Sequence, residues 1–135
     1  MKKLLALCVV ICSLNGCAII DAFLMTKYDP NEYRIITEIR TDAGRSKAEC
    51  ANPLISATNA VAIAGKTSLF VNYSENIPRN DDGFKAAKSL NEIAQGLSTR
   101  YQGTDTVSPV FCKLKFESIE NSASLIQHTL GNRPR

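Results

Sequence analysis

Residues 84–101, with the sequence FKAAKSLNEIAQGLSTRY, indicate the fold class of this chain most clearly. Apolar residues recur there at spacings of three and four, which is the period of one face of an α-helix. Polar residues occupy the remaining positions, as expected for a helix that packs one side against a core. The apolar stripe consists of Phe84, Ala87, Leu90, Ala94, Leu97 and Tyr101.

Two further helices are predicted where a capping residue is followed by proline. Asp29-Pro30 and Ser108-Pro109 both have this order, in which the first residue caps the helix and proline fits its first turn. Glu32 extends the first start to a pattern like a capping box. The predicted helices cover about residues 30–47, with an apolar face of Tyr33, Ile36, Ile39 and Ala43, and residues 109–131, ending at Gly131.

The alanine-rich stretch from Leu54 to Tyr73 is the ambiguous element. Its small residues favour a closely packed, buried helix, whereas residues 68–73, SLFVNY, would also suit a strand. No second alternating run offers such a strand a partner, so we expect a helix. Residues 76–83, NIPRNDDG, form a loop, and Asp81 or Asp82 is expected to open the helix that follows.

These elements predict an all-α fold, a small up-and-down bundle of about four helices. The bundle is expected to occupy residues 29–131 as a single domain, and residues 132–135 are expected to form a loose tail.

The N-terminus, MKKLLALCVVICSLNGC at residues 1–17, has the organisation of a secretory signal. Lys2 and Lys3 precede a short apolar core, and Asn15-Gly16 leads into Cys17. The apolar core is shorter than the roughly 20 residues that a spanning helix needs.

The end of this segment resembles the lipobox of bacterial lipoproteins, with Leu14 three positions before the cysteine and Gly16 just before it. The resemblance implies that residues 1–16 are cleaved and that Cys17 receives acyl chains such as palmitate. Residues 17–28 would then be a lipid-anchored N-terminal segment with no long tether. The alternatives are an uncut membrane anchor over residues 4–20 and ordinary secretion.

Two of the five cysteines remain once Cys17 and the signal cysteines, Cys8 and Cys12, are set aside. Export places Cys50 and Cys112 in oxidising conditions, where two thiols are expected to pair. A Cys50–Cys112 disulfide would join the first and last helices of the domain at one end.

Composition limits the partners. Removal of Lys2 and Lys3 leaves 14 basic and 13 acidic residues, from 16 and 13 in the full chain. This near neutrality argues against a nucleic-acid partner, which would require a basic face. We expect the membrane, through the acyl chains on Cys17, and an envelope protein or the cell wall as partners. In a host with two membranes, Ala18 favours the outer membrane, with the domain facing the periplasm.

Three features were considered as sites and set aside, so no catalytic, metal or cofactor-binding residue is predicted. Gly65-Lys66-Thr67 lacks the first glycine of a phosphate-binding loop. Glu117-Ser118 is similar to the catalytic pair of lytic transglycosylases, but nothing else of their motifs is present. His128 is the single histidine of the chain, with no further ligand set around it in the sequence.

The sequence therefore predicts a lipid-anchored, non-catalytic interaction or assembly domain of the cell envelope. One alternative is a phage-encoded outer-membrane lipoprotein that acts in lysis, like a spanin, or in exclusion. Another is a small periplasmic enzyme or a carrier of an apolar ligand held between helices.

Overall fold

The computed structural model describes residues 26–135, and this part of the chain is all-α. It contains no strand, so the helix predicted for the ambiguous stretch, including residues 68–73, is confirmed. The helices are α1 (Pro30–Ser46), α2 (Pro53–Glu75), α3 (Asp81–Gln102) and α4 (Pro109–Gly131), with a short 3-10 helix, Lys47–Glu49, directly after α1.

The helix starts follow from side-chain caps. Asp29 accepts hydrogen bonds from the backbone N–H groups of Asn31 and Glu32 at 2.9 and 2.8 Å. Ser108 accepts one from the N–H of Phe111 at 3.2 Å. Both predicted cap-and-proline starts are confirmed, and Asn52-Pro53 opens α2 in the same way.

The four helices form an up-and-down bundle in which each helix packs against two neighbours. The most extensive contacts join α2 to α3 and α1 to α4, and smaller ones join α1 to α2 and α3 to α4. Thr37 of α1 bonds to Gln127 of α4, and Lys47, just past α1, bonds to Glu120 of α4. The α4 partner moves backward along the chain as the α1 partner moves forward, so the two helices are antiparallel.

The core runs the length of the bundle and draws on all four helices. The stripe predicted on α3 is confirmed at its centre, where Ala87, Leu90, Ala94 and Leu97 are buried. They pack with a wider set of fully or nearly fully buried side chains, which includes Ile36, Ile39, Ile63, Phe70, Phe116, Ile119 and Ala123. Burial of this apolar area is the main source of stability for the fold.

α2 departs from the expectation of a buried helix. Ala60, Ile63, Ala64 and Phe70 do face the core, but the opposite side of the helix is open to solvent. Its apolar residues are spread around the whole circumference rather than collected on one face. Such an arrangement is typical of a helix that is covered on more than one side.

The C-terminal residues 132–135 are not the loose tail that the sequence suggested. The N–H of Tyr28 donates to the carbonyl oxygen of Pro134 at 2.8 Å, and the Arg135 guanidinium lies 5.2 Å from the Tyr28 ring centroid. Arg133 is bound more deeply, within the bundle. The two ends of the described chain are therefore held together at one end of the molecule, which we call the entry end.

Candidate functional site

The predicted disulfide is present between Cys50 and Cys112, whose Cα atoms lie 5.8 Å apart. Cys50 follows the 3-10 helix after α1, and Cys112 lies in the first turn of α4. Both side chains are buried. The bond joins α1 to α4 at the end of the bundle opposite the entry end, and we call this end the disulfide end.

Lys66 has a structural partner set rather than a phosphate site. Its ammonium group lies 2.6 Å from Asp42 and 3.5 Å from Glu38, so it connects α2 to α1. The hydrogen bond to Asp42 raises the pKa of Lys66, although partial burial acts in the opposite direction. The lysine is thus a charged contact between two helices at mid-height of the bundle.

Glu117 and His128 lie apart on α4, and both are exposed. The His128 ring pairs with Asn132 at 3.1 Å, near the C-terminal end of the helix. No group of three or more histidine, cysteine, aspartate or glutamate side chains within residues 26–135 is placed to hold a metal ion. Among the described residues, neither Glu117 nor His128 is therefore part of such a group.

A buried polar cluster at the entry end was not predicted. Glu32 is fully buried, and its carboxylate accepts hydrogen bonds from Ser74 at 3.0 Å, Asn80 at 2.8 Å and Arg133 at 2.5 Å. Arg133 also donates to the side-chain oxygen of Asn80 at 2.6 Å. These four residues, the Glu32 cluster, come from α1, α2, the cap of α3 and the segment after α4.

The Glu32 cluster corrects one expectation about helix caps and accounts for the missing side-chain cap of α3. Glu32 does not complete a capping box, because its carboxylate points into the bundle rather than back to Asp29. α3 begins at Asp81, as expected, with Asn80 as the residue before it. The Asn80 side chain makes no capping bond because it bonds to Glu32 and Arg133 instead. The absence of a side chain at Gly83 leaves space for the cluster, since a Cβ atom there would overlap Asn80 and Arg133.

The open side of α2 is the candidate interaction surface. We define the α2 face by Leu54, Val61, Ala62, Gly65 and Leu69, which are all exposed. The exposed fraction is 51% for Val61 and 54% for Leu69. Solvated helix faces are normally rich in charge, but none of these five residues is charged. The face is therefore available for contact with another apolar surface.

α2 is also the single helix within residues 26–135 that is long and apolar enough to cross a membrane. The core helix of a bundle passes the same test of length and composition. Here Thr67 and Ser74 are buried against the bundle, where they bond to Asn91 of α3 and to Glu32. These polar contacts fix α2 as one of the four packed helices.

A groove between the start of α3 and the end of α4 opens at the entry end, with a volume of about 950 Å³. Its walls include Leu125, Ile126 and Leu130, and its rim carries Asp82 and Lys85 together with other groups of both charges. Thr26 also lines it, which places the groove beside the incoming chain. The mixed charges do not select an anionic or a cationic ligand.

Of the predicted site residues, the structure thus joins Cys50 to Cys112, whereas Cys17 lies outside the described residues. The α2 face and the Glu32 cluster are the features that sequence reasoning missed. Glu32 lies in register with Ile36, Ile39 and Ala43, and a glutamate on such a stripe is a signal of a buried charge with a partner. Comparison of the chain with protein-family models, curated proteins and solved structures finds no match.

Proposed function

We propose that this protein is exported, is anchored to a membrane of the cell envelope by acyl chains on Cys17, and serves as a protein-interaction domain without a reaction of its own. The observation that carries the interaction role is the uncharged, exposed α2 face. The largest exposed apolar patch of a soluble domain is often a functional contact surface. In a host with two membranes, we assign it to the outer membrane with the domain in the periplasm.

The disulfide supports export. A bond between Cys50 and Cys112 persists in an oxidising compartment and would be kept reduced in the cytosol of most cells. It is consistent with a chain whose first 17 residues have the order of a lipoprotein signal.

The short link to Cys17 determines which part of the domain is near the membrane. The chain between Cys17 and Thr26 can span at most about 30 Å. The entry end is therefore the end closer to the lipid, and the disulfide end lies farther away by up to the length of the bundle. α2 runs between the two ends, so its face is presented along the side of the domain.

Lipidation is tested by metabolic labelling with an alkyne fatty acid. We expect label on the wild-type chain and none on Cys17→Ala. Equal labelling of both chains, or of neither, would contradict the assignment of Cys17.

The interaction role is tested by photo-crosslinking in living cells, with the crosslinker placed at Leu69. Leu114 on α4 is the matched control, because it is also an exposed leucine, with an exposed fraction of 60%. We expect a discrete adduct from position 69 that is absent from position 114. The same adducts from both positions, or none from either, would argue against the α2 face as the contact surface.

The groove between α3 and α4 favours a second candidate function, carriage of an apolar ligand. Its volume of about 950 Å³ lies in the range of small-molecule sites, and it adjoins the chain that leads to the lipid anchor. Native mass spectrometry should then show a retained ligand that is lost in Leu125→Glu. A ligand-free wild-type protein would remove this candidate.

A further inference from the structure

We propose that the α2 face binds a second copy of this chain, with the two α2 helices antiparallel and the two-fold axis beside Gly65. The inference rests on the proposed function in two respects, namely that the α2 face is the contact surface and that a membrane anchor confines the copies. The inference identifies the protein that binds the α2 face, which the proposed function does not specify.

The charge pattern favours a second copy over a charged partner. In a two-fold contact the same patch lies on both sides, so a charged patch would bring like charges together. The α2 face has none. Lys66 is the single lysine or arginine of α2, and it is directed to Asp42 and Glu38 of α1. A polyanionic or polycationic partner would find no counter-charges here, whereas an identical apolar face is complementary.

Gly65 suits the centre of such a contact. A Cβ atom at this position would meet nothing within 4 Å, so packing inside the domain does not require glycine. Glycine in mid-helix costs about 1 kcal/mol relative to alanine, and it permits close approach of another backbone. Val61 and Leu69 lie four residues to either side, one helical turn away. Antiparallel helices that cross at Gly65 therefore place Val61 of one copy near Leu69 of the other.

The borders of the α2 face have the polarity of an interface rim. On the α1 side lies the ion cluster of Lys66, Asp42 and Glu38. On the α3 side lie the half-buried amides of Asn91 and Gln95, which bond to α2. An apolar centre with a polar, half-exposed border is the usual organisation of a protein interface. In the antiparallel arrangement the two α1 borders meet, and each Lys66 is already paired with Asp42 and Glu38 of its own chain.

The size of the face makes membrane attachment part of the inference. A helix of 23 residues is about 35 Å long and about 10 Å wide, which gives a footprint of roughly 350 Å² per copy. Stable dimers typically bury about 800 Å² per partner. The contact is therefore weak in dilute solution, and confinement of both copies to one membrane raises their effective concentration.

The test uses the full chain in its own membranes, with single cysteines introduced and joined by a short bismaleimide. Cys50 and Cys112 are disulfide-bonded and do not react. We expect a crosslinked dimer from Gly65→Cys and none from Gly96→Cys. Gly96 is the matched control, because it is also an exposed mid-helix glycine with nothing within 4 Å of its Cβ position. Equal yields from the two variants would overturn the proposal.

Two further variants test the arrangement. Mixed Val61→Cys and Leu69→Cys chains should crosslink more efficiently than either variant with itself, because the helices are antiparallel. Efficient crosslinking of each variant with itself would contradict that geometry. With Leu69→Cys and Val61→Cys as reporters, adding Gly65→Ala should lower the mixed dimer yield about fivefold, which corresponds to about 1 kcal/mol. An unchanged yield would show that close approach at Gly65 is not needed.

The inference and the proposed function can fail separately. A lipidated chain that gives no dimer, or whose position 65 crosslinks to another envelope protein, would remove the second copy and leave the membrane-held interaction domain. A chain that forms the dimer without acyl chains would remove both the anchor and the need for membrane confinement, and would leave the α2 contact itself.

Discussion

The two ends of the bundle are closed by different chemistry. At the disulfide end, one covalent bond between Cys50 and Cys112 joins α1 to α4. At the entry end, the Glu32 cluster joins all four helices through hydrogen bonds and one buried ion pair. Closure of the disulfide end depends on oxidation of the two thiols, and closure of the entry end depends on the complete set of polar partners. The end nearer the proposed membrane anchor is thus the one that holds the two ends of the described residues 26–135 together without a covalent bond.

Loss of the covalent closure should have the largest effect on stability. The bond closes a loop with a sequence separation of 62, for which chain entropy predicts a stabilisation of about 4 kcal/mol. We expect Cys50→Ala/Cys112→Ala to lose about this amount, measured by urea unfolding without reductant. Addition of reductant should destabilise the wild type alone, which provides the control. A loss below about 1 kcal/mol would show that the disulfide end closes without the bond.

Loss of the ionic closure should come next. Arg133→Ala leaves the fully buried Glu32 carboxylate without its charged partner, and such changes cost about 3–5 kcal/mol. We expect about 3 kcal/mol, at the lower end of this range, because the Arg133 side chain is 10% exposed and water can enter the space that it leaves. Hydrogen exchange should show the start of α3 opening while the disulfide end stays protected. Arg135→Ala is the control, with an expected change within about 0.5 kcal/mol. Uniform loss of protection along the bundle would contradict the view that the two ends are held closed independently of each other.

Two exposed mid-helix glycines, Gly65 and Gly96, lie between the two ends. Substitutions there should distinguish an effect on folding from an effect on the association of two chains. Gly65→Ala and Gly96→Ala remove the conformational freedom of a mid-helix glycine and place a Cβ in open space. Each should stabilise the domain by about 0.5–1 kcal/mol, measured by thermal unfolding. Destabilisation by Gly65→Ala in the monomer would mean that its position is constrained within the domain.

The smallest expected effect concerns Lys66, at mid-height between the same ends. Its pKa is raised above the ordinary value of 10.5, chiefly by the hydrogen bond to Asp42. The ion pair therefore contributes its full stability below about pH 10.5, and the contribution is lost as pH rises through the folded-state pKa. We expect Lys66→Met to cost about 0.5 kcal/mol at neutral pH, since the pair is partly exposed, and nothing at strongly alkaline pH. Urea unfolding at a series of pH values measures this, and a constant difference would contradict it.

The fold was predictable because its signals are local. Asp29-Pro30 and Ser108-Pro109 mark helix starts, the α3 stripe has an unbroken helical period, and the two thiols outside the predicted signal and lipidation site have one way to pair. These features act within a few turns of chain or by simple counting. Each was therefore visible before any packing was known.

The Glu32 cluster and the α2 face could not be predicted in this way, because they depend on which helix surfaces pack against each other. Glu32 and Arg133 are about a hundred residues apart, and either could have been a solvated charge. Burial of both follows only when α1 and α4 pack antiparallel. Likewise, the small residues of α2 favoured a buried helix, and only the bundle shows that one side has no neighbour within residues 26–135.

One measurement reports on both ends at once, namely the intact mass of the membrane-extracted protein before and after reduction. We predict the mass of residues 17–135 plus acyl chains, increasing on reduction by the two hydrogen atoms that a single disulfide takes up. That result would place the lipid beside the entry end and the covalent bond at the other. A full-length chain without acyl chains would contradict the membrane-held domain, and an unchanged mass on reduction would contradict the disulfide closure.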